Sequence, residues 1–145
     1  EAAFAVIPLL VTFIPMLTDT GGNAGSQSST MIIRGMAVGE IEAGDILRVI
    51  WKELRVGVIV GVLLGLVNYI QLLIRFPGQE MLCLTVVLSL LATVMLAKTI
   101  GCVLPIVAQV LHLDPAIMAA PLITTIVDAV SLIIYFQLAC SLLKI

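Results

Sequence analysis

The segment Val56–Ile74 reads VGVIVGVLLGLVNYIQLLI, 19 residues without a charge. The hydrocarbon core of a bilayer asks for about 20 mostly apolar residues of helix. This run is therefore a transmembrane span, and its neighbours have to be read in the same solvent. Met81–Ala97 is uncharged for 17 residues and continues past Lys98 as an apolar, glycine-containing segment to Leu104, before Pro105. Ala116–Leu143 holds 28 residues with one charge, Asp128. Phe4–Ile33 is also long enough, but carries Pro8, Pro15, Asp19, the pair Gly21-Gly22 and a polar tail from Asn23 to Thr30. The expectation is one all-α polytopic membrane domain over 1–145. Its four spans fall near 4–33, 56–74, 81–104 and 116–143, with the first broken or kinked.

Composition agrees. Of 145 residues, 61% are hydrophobic and 11% charged, and the mean hydropathy is +1.25. Soluble domains carry about 45–50% apolar and about 25% charged residues, and at this size leave about a third of their chain surface in water. Seven Lys and Arg against nine Asp and Glu give a net charge of −2, so there is no basic footprint for nucleic acid. Aromatic residues are 5% and ten-residue alternating segments are absent, which argues against an outer-membrane barrel. Helices are the other structure that satisfies its backbone inside lipid. Cys83, Cys102 and Cys140 lie in apolar stretches without a CxxC pair and read as packing residues. The first segment, starting at Glu1, has no basic n-region or cleavage site, so it is not a signal peptide; the sequence reads as a domain cut from a longer chain.

The connections are short. Arg34–Arg55 is strongly polar, and Glu40–Asp45 suggests a short interfacial helix or loop. Arg75–Glu80 is a tight turn on Pro77-Gly78. Asp114 is placed to cap the last helix with Pro115 at its first position, and His112 reads as a loop residue. Arg34, Arg48, Lys52 and Arg55 crowd the first connection, whereas the next holds only Arg75. The positive-inside bias puts the first connection in the cytoplasm of a plasma-membrane protein, with Lys98 snorkelling towards that side. An even number of spans leaves both ends outside, so a cytosolic N-terminal region would need one more span before Glu1.

Two stretches could carry chemistry. In Thr18–Thr30, Asp19, Asn23, Gln27 and Thr30 fall at i, i+4, i+8 and i+11, one stripe on a helix. Facing lipid it would be costly, so it faces protein or water; Pro15, Gly21 and Gly22 can expose carbonyls beside it. In Thr124–Ser131, Thr124, Asp128 and Ser131 share a face at i, i+4 and i+7, with Thr125 beside them. Asp128 lies about 20 Å along the helix from Pro115, deep in the membrane, where a carboxylate marks a functional site. Gly57, Gly61 and Gly65, four apart, form a ridge for close helix packing. No nucleophile–base pair or phosphate loop is present, and two acids alone do not make a membrane protease. Oxygen-rich neighbours without an imidazole or thiolate pocket indicate a hard cation such as magnesium, calcium or manganese. Magnesium keeps its waters, so few direct ligands suffice. One Asp cannot neutralise a divalent ion, but two copies across a two-fold axis can.

Pro15 followed by Asp19-Thr20-Gly21-Gly22-Asn23-Ala24-Gly25-Ser26-Gln27-Ser28-Ser29-Thr30, then Arg34-Gly35, resembles the first pore-lining helix of the MgtE family of magnesium transporters. Asp114-Pro115-Ala116 and Pro121-Leu122 leading to Asp128 resemble that family's last helix. The resemblance implies a homodimeric channel of five helices per subunit with the pore between subunits, and not an enzyme. The ion is Mg2+, with Mn2+ and Co2+ as further candidates. The family's central aspartate falls on Asp128, the carbonyl one turn earlier on Thr124, and the other pore helix contributes Asn23 and the adjoining glycines. This sequence lacks the first helix and the cytosolic magnesium-sensing domains common in the family, so regulation by them is not implied for it. The alternative is a structural helical subunit whose polar stripes only mediate assembly.

The charge bias makes a direct prediction. In a cysteine-free background, a cysteine replacing Glu42 should react with an impermeant thiol reagent only from the cytoplasmic side. Labelling from outside intact cells would overturn the orientation.

Overall fold

The computed structural model describes residues 8–118 and 120–144. Among them the chain is helical throughout. A helical turn at 8–12 leads into α1 (Ile14–Ala37), followed by α2 (Ile46–Arg75), α3 (Glu80–Val110) and α4 (Ala120–Leu143), with 3-10 turns at Ala43–Asp45 and Pro115–Met118. Expected features of residues 4–7 lie outside the described residues.

The break expected in the first helix falls at Phe13. Pro15 has no N–H to give the carbonyl of Val11, so the ladder cannot run through. The Phe13 amide bonds Leu10 (3.2 Å) and helix bonding resumes from Leu17 to Phe13 (3.2 Å). Beyond this point α1 is continuous: Gly21 and Gly22 stay helical and do not open the backbone. It closes where Gly39 takes a positive φ of 75°, the left-handed residue that terminates helices. The Glu40 amide then reaches back to the Gly35 carbonyl (2.9 Å). The last helix is likewise continuous from Ala120 to Leu143, with Pro121 in its first turn. Asp114 does cap, accepting a 2.9 Å bond from the Ala116 amide, but what it caps is the 3-10 turn ahead of α4.

Two boundaries move. The connection expected over Arg34–Arg55 is confined to 38–45, because α2 begins at Ile46. Ile46, Val49 and Ile50 pack on Ile32, Cys102 and Ile106. That apolar stripe makes a helix of a segment whose charges, Arg48, Lys52 and Arg55, point outward. At 30 residues, about 45 Å, α2 outruns the ~30 Å hydrocarbon core. Its first turns therefore stand at the interface, where exposed Trp51 lies with the Arg55 guanidinium 5.8 Å from its ring centre. The third helix, expected to stop at Leu104, runs through Pro105 to Val110. Pro105 is fully buried, and packing on both sides holds the helix across the missing bond.

α3 is the hub, touching α1, α2 and α4. Its Cys83, Val86, Leu90, Val94 and Ala97 pack with Leu17, Ile123, Val127 and Tyr135. The Tyr135 hydroxyl donates to the Leu10 carbonyl (2.9 Å). The α2–α3 seam is the expected glycine ridge. A Cβ on Gly57, Gly61 or Gly65 would meet Met95 (3.3 Å), Leu91 (2.5 Å) or Val87 (3.1 Å). The outer face of α2, with Ile59, Leu63, Val67 and Ile70, stays uncovered.

Glu53 continues that ridge one turn earlier and is buried. Its Oε2 lies 3.4 Å from Lys98 Nζ, with the two side chains 5% and 4% exposed. Lys98 therefore does not snorkel; its ammonium is held inside the bundle by Glu53. Ser28 of α1 completes the cluster, donating to Glu53 Oε2 (2.5 Å) and accepting from Lys98 Nζ (3.2 Å). Deleting either ion alone would strand the other, a cost of about 3–5 kcal/mol.

Among the described residues three segments are long and apolar enough to cross a membrane: Ala43–Arg75, Glu80–Val110 and Ala120–Leu143. α1 falls short of that hydropathy because of its polar stripe, and so depends on its neighbours. Its backbone approaches α3 so closely at Gly25 that a Cβ on Gly101 would collide with the Gly25 carbonyl. Gly101→Ala should therefore lower resistance to detergent unfolding by about 1–3 kcal/mol. Gly44→Ala, with nothing within 4 Å, should leave it unchanged. Equal stability of both variants would contradict the close contact.

Candidate functional site

α1 and α4 meet along a narrow line and diverge on the outer side. There they enclose an open groove of about 380 Å³ lined by Pro15, Thr18, Asp19, Gly22 and Asn23 of α1 and by Thr124 and Asp128 of α4. Gly22 sets the approach: a Cβ there would stand 3.1 Å from the Thr124 methyl. Asp128 is half-buried and Asp19 exposed, close enough to interact electrostatically. Lys98 is committed to Glu53, and among the described residues no cation is paired with Asp128. The hydroxyls of Thr18 and Thr124 donate within their own helices, to Ile14 (3.0 Å) and Pro121 (3.0 Å). Their lone pairs remain available as acceptors, which is what a cation or its waters require.

Five site residues expected from the sequence are brought together: Asp19, Gly22, Asn23, Thr124 and Asp128. Gln27 and Thr30 continue the α1 stripe beyond the groove and are exposed with Asp19 and Asn23, so the stripe exists as one uncovered polar face. Three residues fall elsewhere. Gly21 turns inward, where a Cβ would meet Thr93 (2.6 Å) and Val127 (2.9 Å). Thr125 is exposed on α4 and donates to Pro121 (2.8 Å), outside the groove. Ser131 lies about 60° round the helix from Asp128, enough to bury it in the interior, where it donates to the Asp128 carbonyl (2.9 Å). The helix interface therefore divides the face shared by Thr124, Asp128 and Ser131, leaving the first two in the groove and the third inside.

The sequence reading missed the Ser28–Glu53–Lys98 cluster. A signal was present: Glu53, Gly57, Gly61 and Gly65 stand four apart on one line, so an ionisable side chain on a packing ridge had to find an ion partner on the opposite helix. Among the described residues no group of three or more His, Cys, Asp or Glu is assembled, and the groove concentrates two carboxylates and neutral oxygens.

Comparison with known proteins places this arrangement. Residues 14–138 match the family model for the MgtE divalent cation transporter. The chain is 34% identical over 144 residues to the magnesium transporter MgtE of Thermus thermophilus, covering 99% of this chain and 32% of that protein. It is 35% identical over 139 residues to the magnesium transporter MgtE of Bacillus subtilis, covering 96% and 31%. With that of Enterococcus faecalis it shares 28% over 144 residues, covering 99% and 32%. The chain thus spans about a third of the length of these relatives. The groove, the glycine-rich polar helix beside it and the apolar helices around them belong to a chain that is a member of the MgtE family of divalent cation transporters.

Proposed function

We propose that this chain is the ion-conducting membrane domain of a magnesium transporter, with Asp128 as the central electrostatic site of a path formed between two copies. The observation that carries this reading is the uncovered polar face of α1 set against Asp128 across the groove. In hydrocarbon such a face is costly. A second copy related by a two-fold axis would cover it with the same face and bring a second Asp128 to the path. The curated relatives are named magnesium transporters, which favours the same cargo here.

The chemistry follows from charge and hydration. Magnesium holds its water shell tightly, so the groove's few oxygens act through that shell. Asp128 supplies a fixed charge in a medium of reduced dielectric, where two unit charges about 4 Å apart interact by about 4 kcal/mol. Asn23 and Thr124 offer oxygens to bound water, and Asp19 stands at the exposed edge where a hydrated cation would first meet charge. A wholly protein-built shell would favour an ion that sheds water readily; few ligands with two compensating carboxylates favour one that does not. Manganese is a further ion this donor set would admit, and cobalt is a further candidate from the family resemblance. The charge bias of Arg34, Arg48, Lys52 and Arg55 assigns the 38–45 connection to the cytoplasm and the C-terminus to the outside.

Two sets of substitutions test the site by calorimetry in detergent. Asp128→Asn keeps shape but removes charge, and should weaken magnesium binding about tenfold or more, at least 1.4 kcal/mol, without dissociating the dimer. Asp128→Glu keeps charge but lengthens the arm, so it should bind better than Asn while losing more affinity for magnesium than for calcium. Equal magnesium affinity in wild type and both variants would remove Asp128 from the site. The second set separates the two faces of α4. Ser131→Ala should leave magnesium affinity unchanged, while Thr124→Val should reduce it. A larger loss from Ser131→Ala would mean that the path runs on the other side of the helix.

A further inference from the structure

Polar tethering of α1 is not needed for packing. Gly25 already seats α1 against Gly101 of α3, and Gly57, Gly61 and Gly65 seat α2 against the same helix. Yet the interior also holds an ammonium and a carboxylate. Burying such a pair usually gains no stability over apolar residues of the same volume. What the pair does supply is direction. Ser28 of α1 is wholly buried, and its hydroxyl is used twice, as donor to Glu53 Oε2 (2.5 Å) and as acceptor from Lys98 Nζ (3.2 Å). The Glu53–Lys98 contact at 3.4 Å closes the triangle. Each corner comes from a different helix: α1, α2 and α3.

Ser28 is adjacent to Gln27 and five residues beyond Asn23. A packed glycine contact tolerates some rotation of α1 about its own axis, because van der Waals contact is weakly directional. Two hydrogen bonds to fixed charges do not. Turning α1 by one residue, about 100°, would pull the hydroxyl from both partners and carry Asn23 and Gln27 off the outer face. We infer that Ser28, Glu53 and Lys98 are positioning residues for the ion path. The buried ion pair, fixed in the α2–α3 scaffold, sets the rotation of α1 and thereby the presentation of Asn23 and Gln27. The inference rests on the proposed path between α1 and α4 and adds residues that touch no ion.

Ser28→Ala tests it, because it cuts the tether while leaving the ion pair whole. Magnesium affinity of the full chain should fall about threefold to tenfold, the range a lost hydrogen bond spans. The ratio of magnesium to calcium flux in liposomes should fall with it, while the melting temperature in detergent should fall only modestly, as expected for a lost buried hydrogen bond. The double variant Glu53→Lys with Lys98→Glu reverses the pair. Since a hydroxyl both donates and accepts, it should restore magnesium selectivity relative to either single variant. The apolar double variant Glu53→Leu with Lys98→Met removes both the ion pair and the partners of the Ser28 hydroxyl, and should fold but show the Ser28→Ala phenotype. Wild-type affinity and selectivity in Ser28→Ala, or in the apolar double variant, would overturn the inference while the loss in Asp128→Asn still stood. An absence of magnesium binding by the wild-type chain would overturn the path and this inference together.

Discussion

A helix bearing Asp19, Asn23, Gln27 and Thr30 on one face cannot stand in hydrocarbon by itself, and the rest of the architecture answers that constraint. With no water in the bilayer core, each exposed polar group costs free energy that packing elsewhere must offset. Three apolar helices carry the membrane insertion, and α1 is held against them by contacts closer than side chains would permit. Gly25 meets Gly101 backbone to backbone, and Gly22 lets α4 approach through Thr124. Small residues are what such contacts require where the hydrophobic effect gives helices no reason to associate.

The domain contains charge of two kinds inside its membrane-spanning region. Glu53 and Lys98 neutralise each other within the interior, with Ser28 satisfying one corner. Asp128 is left with its partner Asp19 of like sign, at a groove open to the outside of the bundle. The first arrangement is closed electrostatically and suits a fixed structural element. The second is open and suits a transient cation. Lys98 packs against α2 beside Gly57 and is not among the residues lining the groove, and among the described residues no cation is paired with the two acids there.

The polar face also sets what the bundle exposes. The outer face of α2 is apolar from Val58 to Ile70, while α1 turns a polar stripe outward. An apolar side of this kind suits lipid, and a polar one suits another polar surface or water. Membership of the MgtE family fits this asymmetry, since a cation path needs a side that lipid does not wet.

Much was legible in the sequence because membrane helices are written in one dimension. Uncharged runs marked the interiors of α2, α3 and α4. Spacing by four marked the Gly57–Gly61–Gly65 ridge, and the stripe through Asp19, Asn23, Gln27 and Thr30 emerged as one exposed face. These features depend only on the helix repeat and the cost of polar groups in lipid. The start of α2 was hidden because charged residues at an interface resemble a loop until Ile46, Val49 and Ile50 are seen to pack on Ile32 and Ile106. Pro105 looks like a terminus in one dimension, because what carries a helix across a missing bond is the packing around it. The inward turn of Gly21 and Ser131, the partnership of Glu53 with Lys98, and the side of α4 that faces α1 depend on how helices rotate against one another. Periodicity gives each helix its faces; only the packing of one helix on another, decided by which small residues meet, determines which face looks where.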